Sequence, residues 1–432
     1  MTKEYNEKSD MGSKVNVFEV VSDAKYRYMR IWWSLESNMP HFDSVVPFYE
    51  KLKNQRETNK LMNRFMKSIK VFPSLEDKRE LWRKNFKNIL KEFGESSNLI
   101  DKNDAKYLFS TGIVEVTEKF FKDARAFDKD MEFENIGQAI RNVWIMNIIQ
   151  IMVGMEVEYT NSIFAYSMLY PCTDNYLDDE DISIDDKKDI SSKFERSICG
   201  EKMFSENISE NNLYRLIEII EQQYSREEFE QVYDSLLSIH RAQVKSLSQQ
   251  RDSGISEEKN IMTVSIEKGG TSVLADGILV KPDITIEEAD FFFGYGVMLQ
   301  LCDDLQDVSE DLRNGHMTIF SKTAEKWYLD EVTNCLFNFI DMIVELMDVL
   351  KCEDLQGLKK LVKENCNLLI FQAIAQNKQF FSREYIKEIK KYFPFTTSYM
   401  RKVYGKALRR YSTLKESYGG VKKEDIIMYA IK

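Results

Sequence analysis

Apolar residues along this chain recur three and four positions apart rather than two. Between Phe18 and Ala126, Trp32, Trp33, Phe48, Leu61, Phe65, Ile69, Trp82, Phe86 and Ile89 follow helical spacings, the signature of successive amphipathic helices. Pro40, Pro47 and Pro73 fall between these segments, where helix punctuation belongs. From about Asn135 the runs lengthen and turn more apolar, over 136–181, 211–250, 260–280, 286–313, 324–351, 355–377 and 396–416. Helices this apolar are buried on several faces. Strand-like alternation is hard to find, and no internal repeat stands out. The pattern predicts a polar, disordered tail over 1–15, an N-terminal helical layer over 16–134, and one large helical domain over 135–432.

Composition supports the helical reading. The 432 residues include only six prolines and 17 glycines, where ordinary domains carry roughly 5 % and 7 %. Few turns are therefore encoded, which argues against sandwiches and propellers. The net charge of −11 lacks the basic field of a nucleic-acid binder, so no nucleic-acid partner is expected. Six cysteines without a C-x-x-C pair read as small buried hydrophobes in a reducing compartment. Three dispersed histidines, His41, His240 and His316, make a zinc cluster a poor expectation. The first residues carry no apolar signal-peptide core. The longest apolar stretch, near Val143–Val157, is interrupted by Asn147 and Gln150 and is too short to span a bilayer. No transmembrane segment and a cytoplasmic location are expected.

Two acidic clusters change the picture. The first holds seven acids between Asp174 and Asp186, following the apolar run Ile163–Leu169. On a helix Asp178 stands about 40° from Asp174, with Asp181 about 20° to the other side. Three carboxylates on one stripe repel each other unless a cation holds them. Pro171 must kink that helix or start a new turn. Taken alone the run also reads as a solvated acidic loop, since Lys187 and Lys188 continue it. A calcium EF-hand fails on ligand spacing and on its missing glycine.

The second cluster, Asp303, Asp307 and Asp311, repeats every four residues and spans about 80° of one helix face. Gln300, Leu299, Gly296 and Phe292 lie below Asp303 on that face. Asp304, about 100° away, reads as a supporting acid or a helix-surface pair. Carboxylates at the mouth of an apolar channel suit Mg²⁺, which bridges to substrate phosphates. The two clusters suggest two walls of one pocket, with a depth suited to a prenyl chain.

At these residues the chain resembles the class I isoprenoid synthase superfamily, which includes trans-prenyl diphosphate synthases, squalene and phytoene synthases, and terpene cyclases. Asp174-x-x-x-Asp178-Asp179 is similar to the first aspartate-rich motif. Gly296-x-x-x-Gln300-x-x-Asp303-Asp304-x-x-Asp307 is similar to the second. Glu267-Lys268-Gly-Gly-Thr271 is similar to the helix that presents a diphosphate-binding lysine. The resemblance covers about residues 136–415 and implies an all-α isoprenoid-synthase helical bundle, here with an additional N-terminal helical layer. It further implies Mg²⁺, three ions in all, held by Asp174, Asp178, Asp179 or Asp181 on one wall and Asp303, Asp307 and Asp311 on the other.

Departures from the family pattern favour the terpene synthase branch, bacterial in type. The Arg-Arg-Gly and Gly-Lys-x-x-Arg signatures of an isopentenyl diphosphate site are missing, and Asp303 stands where head-to-head synthases carry Asn. Arg409-Arg410-Tyr411 resembles the terminal Arg-Tyr pair of terpene cyclases. The expected substrate is a prenyl diphosphate, with Lys268, Arg410 and Tyr411 as catalytic groups. Phe164, Tyr170 and Phe292 are candidates for cation–π stabilisation of an allylic cation, and such rings also read as core packing. Gln243 and Gln300 are candidate substrate contacts. His240, Gln243 and Gln250 share a helix face that also reads as ordinary amphipathic surface. Arg251, Arg313, Lys322 and His316 lie near the motifs without an assigned role. The alternatives are a trans-prenyltransferase, for chain extension or head-to-head coupling, an inactive partner subunit of a prenyl synthase, and a purely structural bundle. A homodimer is left open.

Overall fold

The periodicity reappears as helices almost throughout the computed structural model, which describes residues 15–42, 44–96, 111–178, 182–249 and 258–431. The predicted tail therefore lies almost wholly outside the described residues. In chain order the helices are α1 (Val17–Ser34), α2 (Phe48–Lys70), α3 (Arg79–Ser96), α4 (Ile113–Phe127), α5 (Phe133–Met152), α6 (Asn161–Asp178), α7 (Ile184–Ile198), α8 (Ile208–Gln223) and α9 (Glu230–Ser246). They continue with α10 (Glu258–Val280), α11 (Ile286–Gln306), α12 (Val308–Asn314), α13 (Ile319–Ala324), α14 (Asp330–Leu346), α15 (Leu355–Gln376), α16 (Arg383–Ile389), α17 (Thr397–Ser412) and α18 (Lys423–Ile431). The expected all-α class is what the chain adopts. Among the described residues the strands are β1 (Ser417–Tyr418) and β2 (Val421–Lys422), an antiparallel hairpin turning through Gly419 and Gly420 at positive φ.

The helical hairpin α10–α11 is the spine. Thr285 starts α11 with a capping box, its hydroxyl accepting from the Glu288 amide while the Glu288 carboxylate accepts from the Thr285 amide. The two helices approach backbone to backbone at Gly269 and Gly296, where a Cβ on Gly296 would overlap the Gly269 carbonyl. Two side chains there would push the helices apart and open the core. Phe291, Phe292 and Phe293 are fully buried around this hairpin.

The residues of the expected N-terminal helical layer divide between two cores. Helix α1 belongs to the main one: Tyr28 stacks on Phe293 at 6.0 Å, and its hydroxyl donates to the Asp290 carbonyl at 3.0 Å. Arg27 pairs with Asp290 at 2.6 Å beside it. Val116 and Ala124 of α4 also lie in the main core. Helices α2 and α3 instead share a satellite core with the chain end, built on Ile69, Phe72, Trp82, Phe86, Leu414 and Ile426. Trp82 Nε1 donates to the Ser68 carbonyl at 2.9 Å, and Arg79 spans the Pro73 and Gly419 carbonyls.

Two sequence expectations about the motif helices resolve differently. Helix α6 runs through Pro171 without ending, and the Thr173 hydroxyl donates to the Leu169 carbonyl at 2.9 Å two residues beyond the proline. The 286–313 run is divided at Asp307, whose φ of −90° and ψ of 3° end α11 and start α12. The Asp307 and Asp311 amides still reach back four residues, to the carbonyls of Asp303 and Asp307. The helix bends there rather than breaking. Gly315, at φ 69°, closes α12.

Among the described residues no helix is long and apolar enough to cross a membrane. All six cysteines are free thiols.

Candidate active site

A surface groove of about 1200 Å³ runs along α1, but it gathers none of the motif residues. A smaller cavity of about 290 Å³ does. It lies between α5, α6, α9, α10, α11 and α15 and is lined by Tyr170, Gln243, Lys268, Gln300 and Asp303. These residues are up to 133 positions apart in the chain, from Tyr170 to Asp303, and the bundle brings them to one cavity.

The cavity combines charged and apolar surface. Lys268 and Asp303 share one end because α10 and α11 run antiparallel, and Arg141 of α5 also lines the cavity. Gly269, Val273, Gly296, Leu299, Ile145 and Ile239 supply a mostly apolar middle. Eight residues along α10 from Lys268, about 12 Å at the helical rise, stands Asp276, fully buried in the wall. Its Oδ1 accepts from Asn142 Nδ2 at 3.1 Å. Burial pushes its carboxyl well above the usual carboxylate range, with the Asn142 amide pulling the other way.

The paired acids Asp303 and Asp304 have separate fates. Asp303 is exposed at the cavity end. Asp304, expected as a supporting acid or on the helix surface, is buried, and Gln300 Nε2 donates to its Oδ1 at 2.8 Å. Burial pushes its pKa up to about 7, against the Gln300 amide, the Ser265 hydroxyl and the nearby Lys268 charge. Asp307 is pushed up to about 6 by burial and then by the charge of Asp303, with Arg141 opposing. Asp311 is pushed up to about 8 by burial and by Asp304, although Thr318 Oγ1 donates to its Oδ2 at 3.2 Å. Neither Asp307 nor Asp311 lines the cavity.

Among the described residues no group of three or more His, Cys, Asp or Glu side chains converges as a metal site. Asp179 and Asp181 lie outside the described residues, as do the side chains of Asp174 and Asp178, whose backbone forms the last turns of α6. The donor set that is described fits Mg²⁺ in chemistry. It consists of hard carboxylate oxygens that repel one another, and Mg²⁺ takes one or two protein carboxylates and completes its shell with phosphates and water.

The remaining candidates sit elsewhere. Phe164 packs between Phe120 and Phe127, each 5.8 Å away, and Phe292 lies under Gly277 in the core; neither lines the cavity. Arg410 donates to Asn63 Oδ1 at 2.9 Å, and Tyr411 packs on the satellite core with Lys423 5.4 Å over its ring. Helix α17 carries them there because its last turns leave the main bundle for α2. His240 bonds through Nε2 to the Ser191 carbonyl at 2.9 Å, and burial holds it below its ordinary pKa. It faces an adjoining pocket of about 20 Å³ that shares Tyr170, Ile239 and Gln243 with the main cavity. Arg313 turns back to the Ser309 carbonyl, Lys322 pairs with Glu325, and the His316 amide donates to the Asp311 carbonyl. Gln250 and Arg251 lie outside the described residues.

The sequence reading assigned no role to Arg141, Asn142 or Asp276. Their signal was nevertheless present. Arg141 is the one charge between Glu134 and Met152, and Asp276 is a lone acid in an apolar run with no base three or four residues away.

Compared with protein-family models and with curated proteins, the chain matches none.

Proposed function

We propose that this chain is a class I terpene synthase, ionising an allylic prenyl diphosphate and cyclising or deprotonating the resulting cation. The observation that carries this reading is that one cavity holds Lys268, Arg141 and Asp303 together with apolar surface. Ile145, Ile239, Val273 and Leu299, with Gly269 and Gly296, supply the apolar part of its lining.

In this reading Lys268 and Arg141 attract the diphosphate, and Asp303 with Asp307 would hold Mg²⁺. Bound Mg²⁺ neutralises the charge that develops on a departing diphosphate. Gln300 ties Asp304 inward, which leaves Asp303 as the acid facing the cavity. Leu299, Val273 and Ile145 exclude water from the cation formed when the C–O bond breaks towards the diphosphate. The Tyr170 ring offers that cation its face, an attraction of about 2 kcal/mol when desolvated. The free thiols accord with a reducing, cytoplasmic setting.

The test is turnover. Purified protein with Mg²⁺ and prenyl diphosphates of graded chain length should release diphosphate and form hydrocarbon or terpene alcohol. No release from any of them overturns the reading. One observation favours a second reading, prenyl chain extension: Arg141 adds to the cavity a cation that the family motifs do not include. Product formed only when isopentenyl diphosphate is added would select it.

A further inference from the structure

Asp276 has a hydrogen bond left over. It is fully buried, its Oδ1 is taken by Asn142 Nδ2, and its Oδ2 is buried with no hydrogen-bond partner among the described residues. Asn142 cannot turn to serve both oxygens, since its amide also lies 3.3 Å from Ser167 Oγ. The titratable groups that interact with Asp276 are the phenols of Tyr166 and Tyr295, which burial keeps protonated. Tyr166 spends its own hydroxyl on the Ser272 carbonyl at 3.1 Å. Among the described residues no lysine or arginine pairs with Asp276. An unpaired polar group in a core is destabilising, and an apolar side chain would pack there without that cost.

We propose that Asp276 and Asn142 form a hydrogen-bonding subsite, at the end of the cavity away from Lys268, for an oxygen carried on the far end of the ligand. The inference rests on the prenyl diphosphate reading of this cavity and names its substrate class: a prenyl diphosphate whose tail bears a hydroxyl or another oxygen acceptor. Asn142 N–H holds Oδ1 as the acceptor, and burial, which pushes this carboxyl up, favours a proton on Oδ2. A carboxyl kept neutral by burial is a hydrogen-bond donor at pH 7. A buried donor of this kind selects strongly, because a ligand without the matching oxygen leaves it unpaired again. The distance of about 12 Å along α10 separates this subsite from the diphosphate end.

The experiment measures competitive binding to the full-length protein with Mg²⁺. Geranyl and farnesyl diphosphates are compared with the same chains carrying a terminal hydroxyl. The expected result is tighter binding of one hydroxylated chain over its parent, by about tenfold or more. Asp276→Leu should abolish that preference, and Asp276→Asn, which keeps a donor on an isosteric side chain, should retain it. Thermal melting of each variant checks folding, and the preference of the wild-type protein stands independently of both. Equal binding of the plain and hydroxylated chains overturns the subsite and leaves the terpene synthase reading intact. It would mean that Oδ2 is satisfied by an ordered water only. Failure of every diphosphate to bind overturns the reading itself, and the subsite with it.

Discussion

The main core and the satellite core are built from the same materials and keep opposite accounts of polarity. The satellite gathers Ile69, Phe72, Trp82 and Phe86 against Leu414 and Ile426, and its polar groups are used to close it. Trp82 donates to Ser68, and Arg79 ties two carbonyls together. The main core instead buries Asp276, Asp304 and His240, each with an atom that lacks a hydrogen-bond partner among the described residues. A core shaped only for stability discards such groups. Asp276 lines the cavity, Asp304 is bonded to Gln300 in its wall, and His240 lines the pocket beside it.

The comparison can be tested from its largest consequence downwards. Phe86→Ala should cost about 3–5 kcal/mol by emptying the satellite, read as a lowered denaturation midpoint, while diphosphate release at low temperature persists. Equal loss of turnover would show that the two cores are one functional unit. Asp303→Asn should lower turnover by about 100-fold or more, equivalent to about 2.7 kcal/mol of barrier, with an unchanged melting temperature because Asp303 is exposed. A variant as active as the parent would remove the carboxylate from the proposed site. Gly296→Ala should destabilise by about 1–3 kcal/mol through its clash with Gly269, seen in chemical denaturation.

A pH series separates the cores next. The folded-state values of Asp304, about 7, Asp307, about 6, and Asp311, about 8, lie above the ordinary Asp value near 4. The folded chain therefore binds more protons than the unfolded one. Stability from these groups is fully present below about pH 4 and is lost as pH rises through about 6 to 8. Melting temperatures of the metal-free protein should fall over that window, and Asp304→Asn should flatten the fall. Added Mg²⁺ should raise the melting temperature more at pH 8 than at pH 6. A flat profile in the parent protein would contradict the raised values of these acids. The smallest effect is expected from Arg410→Ala. Its partner is Asn63 at the satellite side, so turnover and substrate affinity should stay within about twofold. A large loss there would restore the terminal Arg-Tyr pair to the site.

Lys268, Gln300 and Asp303 were legible because each interrupts an apolar helical run, and a charge in such a run needs a reason to be there. Of the two readings of Asp304, the helix surface fails, because angle along a helix reports direction but not what stands opposite, and the buried acid bonded to Gln300 has the place of a supporting one. Its neighbours across the interface, Ser265 and Lys268, come from another helix. The bend at Asp307 was missed for a similar reason: a four-residue repeat of aspartates suits a straight helix and a bent one alike. Arg410 and Tyr411 were drawn to the site by motif alone, and packing took them to α2.

What the sequence determined by itself is the helical class and the position of most helices, since period, caps and scarcity of proline and glycine are local properties. It also determined that two glycines, Gly269 and Gly296, flank the motif residues. Only the tertiary structure decided that those glycines face each other, that α1 joins the main core while α2 and α3 pair with the chain end, and that Arg141, Asn142 and Asp276 share a cavity with Lys268. The physical reason is that burial and desolvation belong to the set of neighbours around a residue. Those neighbours come from helices that are distant in the chain.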